Sequence, residues 1–185
     1  MKDKYILTAE SVTAGHPDKL CDTIADSVLD ACLKEDPNAR VACEVLATAG
    51  KILVAGELHT TAHPDVKTIV RQTVRNAGYD CNCHVEVRLH TQSPDIAGAV
   101  DGDTLGAGDQ GIMYGYACWE TVELLPAPVV LANRITSLLT TCREENLISG
   151  IGPDGKAQVS VQYAFGVPER VDTIVISCQH DADKD

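Results

Sequence analysis

A switch between two hydrophobic periods, two for strands and about 3.6 for helices, recurs along this chain and most constrains its fold. Residues 4–9 (KYILTA) read as a short strand, and Ser11 to His16 as a loop. Pro17 then opens a helical run, a position that suits proline because its missing N–H would have no helical partner there. Leu20, Ile24, Val28 and Leu29 recur at helical spacing, with Cys21 and Cys32 beside them, until Lys34-Glu35-Asp36-Pro37 stops the run. Two β-rich runs follow, Ala39 to Thr48 and Lys51 to Thr60, joined at Ala49-Gly50 as a hairpin. Pro64 starts a second helix with Val66, Ile69, Val70 and Val74 on its apolar face, Gly78 ends it, and Cys83 to His90 alternates as a strand. The linear order is β-α-β-β-α-β.

That order begins again after a loop rich in Gly, Asp and Ser over residues 91–109, long enough to suggest a functional segment rather than a connector. Ile112 to Cys118 reads as a strand, Pro128 to Arg143 as a helix, and Gln158 to Ala164 and Val171 to Cys178 as two further strands. The expected fold class is α+β, with repeated β-α-β-β-α-β modules of which the second is incomplete: an N-terminal module over 1–91, a loop over 92–109 and a middle module over 110–185. Two readings of the pattern stay open, a genuine repeat cut short or the common alternation of an α+β protein.

Charge narrows the partners. Against 27 acidic residues stand 15 Lys and Arg in a chain of 185, a formal net charge of -12 that disfavours nucleic acid or an anionic membrane surface and suits metal cations. No run of roughly 18 apolar residues exists to span a bilayer, and MKDKYILTAE has no apolar signal core, so the expectation is a cytoplasmic protein. The eight cysteines sit mostly singly in apolar runs, as reduced core residues do.

Of the short motifs, Gly15-His16-Pro17-Asp18-Lys19 carries the most chemistry. With Pro17 first in the helix, His16 falls at the N-cap, where Ser, Thr, Asp or Asn is the structural choice. Its ring would stand where free N–H groups and the helix dipole attract phosphate, and Asp18 could hold a divalent cation beside it. An acid in a first helical turn is also favoured by the dipole alone. Gly106-Ala107-Gly108-Asp109-Gln110-Gly111 satisfies G-x-G-x-x-G but follows a polar loop and precedes a strand-like run, so it is no dinucleotide fingerprint. The 89–133 stretch is without Lys or Arg and holds six acids, which reads as a cation-binding segment or a solvated loop. His59 to His63 lacks the Glu of a zinc-protease helix, Cys81-Asn82-Cys83-His84 lacks a second cysteine pair, and there is no G-x-S-x-G or P-loop. Glu44 and Glu57 stand at the centres of apolar strands, where a carboxylate is costly unless paired or bound to a cation, which marks both as site candidates.

Together these stretches resemble the S-adenosylmethionine synthetase (methionine adenosyltransferase) family. The resemblance rests on Glu10-Ser11-Val12 through Lys19, Val41-Ala42-Cys43-Glu44, Ala55-Gly56-Glu57, Gln92-Ser93-Pro94-Asp95-Ile96, Gly106 to Gly111 and Val175-Ile176-Ser177-Cys178-Gln179-His180, in the family's order across nearly the whole chain. It implies attack of the methionine sulfur on C5′ of ATP, expelling triphosphate that is then cleaved to pyrophosphate and phosphate. By the same resemblance His16 and Lys156 are the catalytic residues, and His16, Asp154, Gly155 and Lys156 bind ATP. Glu57, Gln92 and Asp109 bind L-methionine, Asp18 holds Mg²⁺ and Glu44 lies at a K⁺ site. Gln92 to about Asp103 forms the mobile loop gating the site, within the 92–109 segment. Active sites between subunits of a homodimer, or of a dimer of dimers, are implied as well.

The chain departs from the family where Gly78 to Gln92 is shorter, where Gly150-Ile151-Gly152 replaces Trp-Leu-Arg, and in length: family chains continue for about as long again, with most of the ATP-gripping Lys and Arg and a second metal-binding Asp. The alternative from another class is a non-catalytic or incomplete subunit that needs a second chain; a weaker one is an acidic metal-binding module.

Overall fold

The computed structural model describes residues 4–80, 82–91 and 110–184. They form two compact units, one of residues 20–114 and one of residues 1–19 with 115–185. The first helix, α1 (Pro17–Glu35), begins in the latter and continues in the former.

In the 20–114 unit, strands β2 (Arg40–Thr48) and β3 (Lys51–His59) form the expected antiparallel hairpin, with Gly50 at a positive φ of 71° in its turn. Helix α2 (Val66–Asn76) then carries the chain to β4 (His84–Thr91), which lies parallel to β3. Strand order is β2-β3-β4. Asp65 caps α2, accepting from the Thr68 N–H at 3.2 Å and from the Thr68 hydroxyl at 2.8 Å. One sheet face meets the helices: Ile52, Val54 and Val85 are buried with Leu20, Ile24, Val28 and Cys32 of α1 and with Val66, Val70 and Val74 of α2. The other face carries Glu44, Leu46 and Glu57, all exposed.

In the other unit, β1 (Lys4–Val12), β5 (Ile151–Ala164) and β6 (Val167–His180) form an antiparallel sheet in the order β1-β5-β6. Helix α3 (Ala127–Glu144) lies over β1 and β5. Its Ala132 is buried with Val159, Val161 and Tyr163 of β5. The Tyr163 hydroxyl donates to Glu120 Oε2 at 2.5 Å, and the same carboxylate oxygen accepts the Ala127 N–H at 2.9 Å, so one acid satisfies a buried phenol and the start of α3. Burial and that carboxylate together push the Tyr163 phenol well above its ordinary value.

The α+β class stands, and two elements differ most from the expectation. Residues 112–118 form no strand: Ile112, Met113, Tyr114 and Tyr116 are exposed, and the apolar alternation has no partner strand among the described residues. The second half therefore runs α-β-β rather than β-α-β-β, and its sheet takes β1 from the far end of the chain. Strand β5 starts at Ile151, seven residues before the expected Gln158, because pairing with β6 overrides the loop-like Gly152-Pro153-Asp154-Gly155. Val171, Ile174 and Ile176 of β6 lie opposite Val161, Val159 and Ala157, yet each is about half exposed.

Candidate functional site

The loop that leaves β1 is held by hydrogen bonds at each step. The Thr13 N–H donates to Gly155 O at 2.8 Å, the His16 N–H to Thr13 O at 3.1 Å, and Lys19 Nζ to Val12 O at 2.7 Å. His16 then caps α1 through its ring: Nδ1 accepts the Asp18 N–H at 3.3 Å. That contact engages Nδ1 with the helix and leaves Nε2 as the ring nitrogen available to a ligand. The histidine thus takes the place of the usual cap oxygen and adds a donor at the positive end of the helix dipole.

Opposite the loop, the β5–β6 ladder places Gly155 beside Cys178 and Lys156 beside Ser177. The Asp154 N–H donates to Gln179 Oε1 at 3.4 Å. Lys156 Nζ lies 3.1 Å from Glu10 Oε1, an ion pair in which both side chains are part-exposed. Burial, followed by the nearby Asp154 carboxylate, raises the Cys178 thiol. His16, Asp154, Lys156, Ser177, Cys178 and Gln179 together line a cavity of about 380 Å³.

The groups that line the cavity could hold a polyanion together with a cation. An imidazole N–H, an ammonium and a serine hydroxyl can donate to phosphate oxygens at a helix N-terminus. Asp154 in the wall, with Glu10 on Lys156 and Asp18 at the second helical position, would repel an anion arriving alone. A divalent cation removes that conflict. No three His, Cys, Asp or Glu side chains among the described residues cluster to hold an ion by themselves. Mg²⁺ does not require such a cage, since one or two carboxylates with phosphate oxygens and water suffice, and the Asp18 side chain is 91% exposed. The donor set therefore fits Mg²⁺ arriving with a phosphate ligand.

His16, Asp154 and Lys156, chosen from sequence, are thus brought to one cavity, with the Asp18 carboxylate 3.9 Å from the His16 ring. Gly155 is not free to meet a ligand through its backbone: its N–H and its carbonyl are both taken by Thr13. A Cβ there would come within 3.2 Å of Thr13 Cγ2, so glycine at this place serves close packing. Glu44 and Glu57 lie in the other unit, on one open face of the sheet, with Glu44 opposite Ala55 and Glu57 opposite Ala42. Both are exposed, so the expected cost of burying them does not arise. Gln92, Asp109 and the loop between them lie outside the described residues.

Ser177 and Gln179 were not among the sequence candidates. Counting back from the Phe165-Gly166 turn would pair Lys156 with Val175, but irregularities at Ser160/Val161 and Gln162/Tyr163 shift the register to Ser177. A bulge leaves no reliable mark in hydrophobic alternation.

The fold and cavity define an α+β chain with a polar, mixed-charge pocket at a helix N-terminus. Residues 4–101 match the N-terminal domain of S-adenosylmethionine synthetase and residues 104–185 its central domain, so the chain belongs to the S-adenosylmethionine synthetase family. An S-adenosylmethionine synthase of Prochlorococcus marinus (strain NATL2A) is 48% identical over 200 residues, covering 98% of this chain and 49% of the relative. One from a Nitratiruptor species is 48% identical, with coverages of 99% and 50%, and one from a Parafrankia species is 44% identical, with 97% and 51%. The chain spans about half the length of these curated relatives.

Proposed function

We propose that this chain supplies the triphosphate-facing part of a methionine adenosyltransferase, which forms S-adenosylmethionine from ATP and L-methionine and releases pyrophosphate and phosphate. The observation that carries the reading is the meeting of His16, Asp154 and Lys156 in one cavity at the start of α1. Displacement at a saturated carbon needs alignment of sulfur, carbon and leaving oxygen, and relief of the charge that grows on the triphosphate. His16, with Nδ1 engaged by the helix, donates from Nε2 to the phosphate chain near C5′. Lys156 exchanges Glu10 for a phosphate oxygen, and Ser177 adds a neutral donor. Mg²⁺, held by Asp18 with phosphate oxygens and water, supplies further charge neutralisation when bound. Glu57, Gln92 and Asp109 are assigned to methionine and Glu44 to K⁺, on the resemblance together with the shared open face of Glu44 and Glu57. A homodimer or a dimer of dimers is assigned on the same resemblance. A cytoplasmic setting belongs to the same reading, supported by the free thiols of the described cysteines.

Calorimetric titration of the chain with ATP and Mg²⁺ tests the assignment. Lys156→Gln and His16→Ala should each weaken binding about tenfold, the loss expected for one charge-assisted or helix-end phosphate contact. Wild-type affinity in both variants overturns it.

A further inference from the structure

We propose that Thr13 is a positioning residue of this site, whose hydroxyl sets the distance between the His16 loop and the strand that carries Asp154 and Lys156. The side chain is buried and its oxygen is used in both directions. It donates to Pro153 O at 2.7 Å, with Gly155 O at 3.2 Å as a second acceptor, and it accepts the Gly155 N–H at 2.8 Å. Its own backbone binds Gly155 O on one side and the His16 N–H on the other. One residue therefore touches, through hydrogen bonds alone, the cap of α1 and the two residues that flank Asp154.

The β1–β5 ladder ends at Val12 opposite Lys156, so beyond that pair the regular strand register no longer holds the two segments together. The Thr13 clamp continues the connection for one more step. A second feature needs the same closeness: Gly15 lies so tightly against Pro153 that a Cβ there would overlap the Pro153 carbonyl. If the hydroxyl were lost, the buried Gly155 N–H and Pro153 O would lose partners, and the loop would move away from Pro153 to rehydrate them. His16 would move with it, because its N–H hangs on the Thr13 carbonyl. A hydroxyl at this place acts on the reacting groups only through His16 and the Asp154–Lys156 run, which is why it is a positioning and not a catalytic residue.

The inference rests on the reading of the cavity as a phosphate site, and the experiment separates the two. Thr13→Val removes the hydroxyl and nearly keeps the shape; Thr13→Ser keeps the hydroxyl and removes the methyl; Thr13→Ala stands in if the valine chain does not fold. Each is made in the 185-residue chain and read three ways: thermal midpoint, the NMR signal of the His16 ring Cε1–H, and calorimetric affinity for tripolyphosphate with Mg²⁺. The expected result is a displaced His16 signal and about tenfold weaker tripolyphosphate binding without the hydroxyl, within the range that small misplacements cost, with Thr13→Ser close to wild type in both. An unchanged His16 signal and affinity in Thr13→Val, even with a lowered midpoint, overturns the proposal by showing a structural hydrogen bond only. Equal damage in Thr13→Ser and Thr13→Val also overturns it, since the methyl would then be what matters. If the wild-type chain binds no tripolyphosphate, the phosphate reading fails, and the His16 signal still decides the role of Thr13.

Discussion

At the residue scale the site is built from economical double use. His16 caps the start of a helix with Nδ1 and leaves Nε2 for a ligand, and Gly155 leaves room for Thr13 while its backbone ties two segments. Cys178 shows the opposite, a nucleophile kept quiet. It sits in the cavity wall, yet burial and the Asp154 carboxylate both favour the protonated thiol, and the thiolate is the reactive form. Iodoacetamide should therefore label Cys178 in the folded chain more slowly at neutral pH than it labels an unstructured cysteine peptide, and the gap should close as the pH rises. Peptide mass spectrometry reads the rate; labelling as fast as the free peptide at neutral pH contradicts the environment described. The residue level was also where sequence reading reached its limit. His16 was legible because a histidine is an unexpected N-cap and Pro17 fixes where the helix starts. Thr13 was not, since a threonine in a loop is ordinary and its partners lie some 140 positions away.

At the element scale the elements set by local patterning are read to within a few residues: α1, the β2–β3 hairpin, α2 and β4 follow from periodicity, proline starts and the stops at Pro37 and Gly78. What periodicity could not give is partnership. KYILTA was visible as a strand, but not that it pairs with β5, and IMYGYAC alternates as a strand should while finding no partner among the described residues. Charge on the sheet makes a second prediction. Glu86 of β4 lies 2.6 Å from Lys51 of β3 and 2.9 Å from Arg88. These two cations lower its carboxyl from 4.5 to about 2. A depressed folded value means that the ionised carboxylate stabilises the fold above the unfolded value, and that this stabilisation is lost as the pH falls from 4.5 to about 2. The thermal-midpoint difference between wild type and Glu86→Gln should then be constant above about pH 5 and shrink towards zero on acidification. A difference that does not vary with pH contradicts the pairing.

At the scale of the whole molecule, the charge of -12 frames the function as much as any motif. An acidic chain that binds a polyphosphate must bring its few cations to one place and share the load with a metal ion. Lys156 and His16 line one cavity with Asp154, and α1 adds its N-terminus, while Glu44 and Glu57 stand on an open sheet face in the other unit. The chain spans about half the length of its curated relatives. The most direct measurement is lysine footprinting by mass spectrometry with an amine-reactive reagent, with and without ATP and Mg²⁺ at saturating concentration. Lys156 should be protected by the nucleotide while Lys4, Lys51 and Lys67 label at their unliganded rates. Unchanged labelling of Lys156 in a chain shown calorimetrically to be saturated with ATP would place the triphosphate elsewhere and contradict the account.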